Sequence, residues 1–229
     1  MPDFWSLYTG GVLVREGIRE NLYDYATQYQ VLQSLIPGVT KQEFLPFLNP
    51  PFVALAYLPF SLFSPNSAYS LLLYFNAVLF LACWLLLYRW IPPTKKTFLC
   101  LFLLFYPPLY VTLAQGQNSV VLLLSIISSW LAFKKNRPFA AGCALAFLAV
   151  KPQLLFLPFV LLLWKRQWRA LLGLFFVVAL FSLISLLVVG WQGGIHYLQL
   201  LWGIAISSDH SGINPLFQPT LRGFFEIFL

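Results

Sequence analysis

Apolar residues run along this chain in long blocks separated by short polar breaks. The blocks occupy residues 67–88, 97–114, 119–133, 138–150, 152–164 and 170–190. A helix of roughly 18 apolar residues spans a bilayer, and the stretches 67–90 and 170–190 exceed that length. The pattern predicts an all-α, polytopic integral membrane protein with about six transmembrane helices between residues 67 and 190. The runs at 138–150 and 152–164 are short, about 20 Å each at 1.5 Å per residue. They are expected to meet below the bilayer surface, with 151–153 in a sunken cavity.

The flanks read differently. Residues 1–48 carry Asp3, Arg15, Glu16, Arg19, Glu20, Asp24, Lys41 and Glu43, and are expected to form amphipathic helices and loops lying on a membrane surface. Residues 49–63 are apolar but broken by Pro50, Pro51 and Pro59, which suits a juxtamembrane or re-entrant element better than a span. The expected organisation is therefore a first outer loop at 1–66, a helical bundle at 67–190, and a loop with the start of a further helix at 191–229.

Composition agrees: 60% of residues are hydrophobic and 9% charged, against about 25% charged in a soluble domain. The net charge of +7 would suit nucleic acid, but its distribution excludes that. Arg89/Lys95/Lys96, Lys134/Lys135/Arg137 and Lys165/Arg166/Arg169 form three loop clusters with no acid near them, the signature of cytoplasmic loops. All seven acids, Asp3, Glu16, Glu20, Asp24, Glu43, Asp209 and Glu226, fall in the flanks. Counting crossings from the basic loops puts both flanks, 115–118 and 151–153 on the outer face of a cell membrane. Cys83, Cys100 and Cys143 lie inside apolar runs and are expected to pack rather than pair.

Several groups could carry chemistry. Lys151 is a charge between two apolar runs, which costs about 2.5–3.5 kcal/mol at a helix centre and points to function. It suits a lipid phosphate, or it snorkels to the headgroups. Pro152-Gln153 adds a break and a carboxamide. Gly116-Gln117-Asn118 offers two carboxamides to sugar hydroxyls, or is a polar turn. Asp3 and Asp24 sit beside aromatic residues and could act as general bases, or either is a solvated charge or a helix cap. Asp209-His210, Asn214, Gln218 and Arg222 cluster near the end of the chain, though one Asp-His pair is weak evidence for a metal. His196, next to Tyr197, is expected at an interface. The chain has no phosphate-binding glycine loop, no dinucleotide fingerprint and no Ser-His-Asp arrangement, so nucleotide chemistry is unsupported.

Short stretches in order along the chain resemble a known family. They are Asp3-Phe4-Trp5-Ser6-Leu7-Tyr8, Leu22-Tyr23-Asp24, Asn49-Pro50-Pro51-Phe52, Gly116-Gln117-Asn118, Lys151-Pro152-Gln153, and 218–223 around Gln218 and Arg222. The chain resembles polyprenyl-phosphate-sugar-dependent glycosyltransferases of the GT-C superfamily, most closely glycosyltransferase family 87. That resemblance implies hexose transfer, with mannose expected, from a polyprenyl-phosphate donor to a hydroxyl of a glycolipid or glycan. The transfer would occur on the outer face with inversion. It implies Asp3 as catalytic base, and Lys151 with Arg222 on the lipid phosphate. Asp24, Gln117, Asn118, Gln153, His210 and Gln218 complete the implied substrate contacts. No tightly bound cofactor is implied, and a divalent metal stays open. Membrane lipid, donor and acceptor are the expected partners, with no nucleic acid. Family members carry a first transmembrane helix before the aspartate and further helices after residue 229, so a fragment is expected. A lipid or solute transporter, or flippase, with broken helices and a buried cation is the alternative; an inactive membrane fragment is another.

Overall fold

The computed structural model describes residues 1–97 and 105–206, without the side chains of 204–206. All regular elements among them are helical. They are α1 (Asp3–Arg15), α2 (Tyr25–Leu35), α3 (Pro51–Tyr57), α4 (Pro65–Tyr88), α5 (Pro107–Ala114), α6 (Ser119–Lys134), α7 (Pro138–Leu145), α8 (Phe156–Trp164) and α9 (Trp168–Ile206). Short 3₁₀ turns at Phe60–Leu62, Ala146–Val150 and Pro152–Leu155 join them.

Proline and turn chemistry set the boundaries. Helices α3, α4, α5 and α7 all open with proline in the first turn, where the missing N–H has no partner to lose. Helices α6 and α8 end in basic turns whose Asn136 and Arg166 take positive φ, 54° and 52°. Arg137 N donates to Ala132 O and Asn136 N to Phe133 O, and the same pair of bonds closes α8 from Gln167 and Arg166. These are Schellman closures made without glycine.

The helices α4 and α6 run side by side in one direction. Asn76 meets Gln117 toward one end, and the rings of Trp90 and Trp130 meet at 5.2 Å at the other. Helix α7 returns antiparallel, its Ala144 carbonyl accepting from Ser125 Oγ at 2.6 Å. Helix α9 then runs parallel to α7, from the Gly142–Ala170 approach to the Phe147–Phe181 ring contact at 5.3 Å. The three basic clusters therefore gather at one end of the bundle. There Lys134 Nζ lies 5.7 Å over the Trp130 ring. The turn 115–118 and Lys151 lie at the opposite end.

Among the described residues, two helices are long and apolar enough to cross a membrane, Pro65–Tyr88 and Trp168–Gly203, with mean hydropathy 2.2 and 2.9. Ser119–Lys134, Pro138–Val150 and Pro152–Trp164 are apolar but shorter. The run at 97–114 is interrupted at its prolines, and residues 98–104 fall outside the described residues. The described residues thus show two spanning-length helices of the about six that the pattern predicts.

Two expectations change. Residues 1–48 do not all lie on a surface: α1 is buried continuously from Ser6 to Val14. Its charges, Asp3 and Arg15, stand only at its ends, so it has no polar stripe to turn outward. It packs against α3, α2 and the turn at Phe60–Leu62. Behind it the fully buried Gln28 ties the following loop, accepting from Phe47 N at 2.7 Å and donating to Leu22 O at 2.7 Å. The second change follows residue 190. The last apolar run ends there as expected, at Gly190, whose φ 70° and ψ −177° lie outside helical backbone, but the segment beyond it, expected as a loop, is helical to Ile206.

Candidate functional site

The site is assembled around the start of α1. Asp3 is its first residue, half-buried, where a negative charge is favourable at the helix N-terminus. The next residue, Phe4, donates its backbone N–H to Gln115 O at 2.9 Å. That bond docks α1 on the turn carrying Gly116-Gln117-Asn118. Gly116 has a structural reason for being glycine. It closes α5 at φ 63°, and a Cβ there would lie 2.8 Å from Phe4 Cβ, so a side chain would push the two elements apart.

Three further bonds hold this turn and the end of α5. Tyr69 Oη donates to Ala114 O at 2.9 Å. Asn76 Nδ2 donates to Gln117 O at 3.2 Å. Ser119 Oγ donates to Gln117 Oε1 at 3.1 Å. Asn118 is buried at 8% exposure and lines a cavity of about 500 Å³ with Tyr57, Asn76 and Val150. The Tyr57 hydroxyl is pushed well above the usual phenol range, first by burial and then by the negative charge at Asp3. Asp3 and Tyr57 therefore share one electrostatic neighbourhood.

Lys151 follows Val150 directly, half-buried in the bend between two 3₁₀ turns. Leu154 N donates to its carbonyl at 2.8 Å. No carboxylate among the described residues lies within ion-pair distance of it. Pro152, on its other side, lines a second cavity of about 470 Å³ with Pro50, Pro51, Ser185 and Tyr197. The rings of Phe52 and Phe181, stacked at 4.4 Å, border both cavities. Lys151 thus stands in the chain between one residue on each.

Other expected site residues are placed differently. Asp24 is exposed and caps α2, accepting from Thr27 N at 3.0 Å and from the Thr27 hydroxyl. These bonds hold its carboxyl below the usual range. The preceding residues anchor the chain: Leu22 is fully buried, and Tyr23 Oη donates to Asn49 O at 2.7 Å. The Leu22-Tyr23-Asp24 stretch is accounted for by packing and capping alone. Gln153 is exposed, as is His196. His210, Gln218 and Arg222, with Asp209 and Asn214, lie outside the described residues. No group of three or more metal-ligating side chains occurs among the described residues.

The cap makes a prediction. Asp24→Ala should lower stability by about 1 kcal/mol, the usual worth of an N-cap. A carboxyl whose folded pKa is depressed stabilises above its unfolded pKa, and that contribution is lost as pH falls through the folded value. Thermal unfolding of wild type and variant should therefore differ at neutral pH and converge in acid. A gap of unchanged size in acid would remove the cap from the account.

Tyr57 and Asn76 escape the sequence reading. The signal for Asn76 is a carboxamide within the apolar 24-residue helix Pro65–Tyr88, which calls for a partner wherever it is buried. Tyr57 looks like one more aromatic in an aromatic-rich chain, and only the fold brings it within reach of the Asp3 charge.

No curated protein and no solved structure matches the chain. A family model, glycosyltransferase family 87, matches residues 47–223. The matched region takes in Pro50–Phe52, Asn76, the 116–118 turn and Lys151, and it begins after Asp3 and Asp24. With more than half of its length matched in this way, the chain belongs to glycosyltransferase family 87.

Proposed function

We propose that the protein transfers a hexose, mannose by resemblance, from a polyprenyl phosphate to an acceptor hydroxyl on the outer face of a cell membrane. One observation supports it above the others. Helix α1 docks on the 115–118 turn beside Asp3, whose charge reaches Tyr57; Tyr57 lines one cavity with Asn118, and Lys151 is next in chain to its wall, away from the basic loops. With those loops cytoplasmic, this end faces outward, where a lipid-linked donor needs no nucleotide site.

In the proposed step the Asp3 carboxylate takes the proton of the acceptor hydroxyl as its oxygen attacks the anomeric carbon. The bond from that carbon to the phosphate oxygen breaks, and its electron pair leaves with the lipid phosphate. Inversion follows from a single displacement. Lys151, with Arg222, neutralises the charge that grows on the phosphate. Gln117, Asn118, Gln153, His210 and Gln218 are the proposed sugar and phosphate contacts. Asp24 is better explained as a helix cap.

Membranes carrying the protein should move label from polyprenyl-phosphate mannose into a glycosylated product, and not from a nucleotide-linked mannose. Movement of label across the membrane without a glycosyl product would replace this reading with a transporter. Lys151→Met should reduce kcat by roughly 10²-fold, the usual loss for a charge aimed at the transition state. Full turnover in that variant would remove Lys151 from the step.

A further inference from the structure

The cavity of about 500 Å³ has an apolar wall apart from Tyr57, Asn76 and Asn118, and no charged residue borders it. Asn76 is 1% exposed. Its Nδ2 donates to Gln117 O, which sets the orientation of the carboxamide, because turning it over would face two carbonyl oxygens. Oδ1 is then buried and accepts no hydrogen bond from any described residue. An acceptor buried in apolar surroundings without a donor is costly, and such an atom bordering a ligand-sized cavity is an unmet demand for an O–H or N–H.

We propose that this cavity binds a sugar through its hydroxyl groups, with Asn76 Oδ1 accepting from one of them and Asn118 beside it. The inference rests on the glycosyltransferase reading and adds the subsite for the sugar ring. A phosphate does not suit the place, since no cation lines it and an unpartnered carbonyl oxygen repels an anion. Neutral hydroxyls supply the missing donor. The rings of Phe52, Phe60 and Phe181 in the wall offer apolar faces to a pyranose. At its rim Leu55, Phe75 and Phe147 are exposed, which suits a sugar carried on an apolar tail.

The test uses the whole protein in lipid nanodiscs, titrated with octyl α-mannoside or octyl phosphate below their micelle concentrations, with thermal unfolding as the readout. Octyl mannoside should raise the unfolding temperature saturably and octyl phosphate should not. Asn76→Leu, close in volume, should weaken mannoside binding by about tenfold, the effect of one buried hydrogen bond. If that variant does not fold, Tyr57→Phe keeps the ring and its packing and should weaken binding by about fivefold. Equal stabilisation by the two probes, or unchanged affinity in the variants, overturns the subsite. Mannoside binding without any hexose transfer would sink the reaction and leave the subsite standing. Transfer with unaltered mannoside affinity in the variants would do the reverse. A prenyl-phosphomannose that competes with octyl mannoside assigns the ring to the donor, and one that binds alongside it assigns the ring to the acceptor.

Discussion

Asp3→Asn should leave the protein folded and remove its turnover. The side chain is half-buried and forms no cap bond, and among the described residues it makes no ion pair. Asparagine has the same shape, so the structural loss is confined to a charge at a helix N-terminus, about 0.3–1 kcal/mol. The chemical loss is far larger. A positioned general base contributes about 10²–10⁴-fold, and a carboxamide cannot take the acceptor's proton. The expected result is a kcat lower by that range with donor KM little changed, because Asp3 is assigned to the transition state and not to holding the lipid. The split between kcat and KM, read beside an unchanged unfolding temperature, separates this from a merely structural effect. Unchanged turnover in the variant would end the assignment.

How much of this was legible depends on what each residue type signals. Helices α4 and α9 announce themselves by length, since nothing but a buried or membrane environment tolerates 24 consecutive residues as apolar as Pro65–Tyr88. The basic turns were legible as boundaries, and the structure gathers them at one end as their charge pattern implies. Helix α1 was not legible. Its apolar block is short, and Asp3 before it with the charges from Arg15 onward average it into a mixed segment. Only the shape of α3 and of the loop held by Gln28 creates the pocket that buries it. The break at Gly190 was legible as the end of the last apolar run, but the helix that resumes beyond it was not, because the residues after 190 are mixed in polarity.

The candidate site divides along the same line. Gly116-Gln117-Asn118 was visible as a polar break, yet the reason for its glycine, contact with Phe4, needs a partner more than a hundred residues away in sequence. Asp24 carried two readings in the sequence, base or cap, and the bonds to Thr27 favour the cap. Asn76 is the clearest omission. A carboxamide in the middle of an apolar helix is as specific a signal as the lysine at 151, but it carries no charge and reads as tolerated polarity until its burial is known.

The largest loss of stability is expected at the crossing of α7 and α9. The two helices touch backbone to backbone there: a Cβ on Gly142 would fall on the Ala170 carbonyl, and one on Gly173 would fall on the Phe139 carbonyl and 3.1 Å from Cys143 N. These neighbours are main-chain atoms inside helices and cannot swing away as a flexible side chain can. Ala141, Ala170 and Leu174 close the same contact and are buried, so the helices can relieve the clash only by moving apart. Overpacking a core usually costs about 1–3 kcal/mol. With backbone on both sides, Gly142→Val should reach or exceed the top of that range, and Gly142→Ala should already cost about 2 kcal/mol. Gly203→Ala is the control: it has open space around the new methyl, and in a helix that change is neutral or stabilising by up to about 1 kcal/mol. Thermal unfolding in detergent ranks the three. A Gly142→Val protein as stable as wild type would show that the helices do not cross this closely. The functional consequence runs through geometry, since α7 leads into Val150 and Lys151 while α9 carries Phe181 and Ser185. Forcing the helices apart parts the walls of both cavities, so donor affinity should fall even in the fraction of Gly142→Ala protein that stays folded.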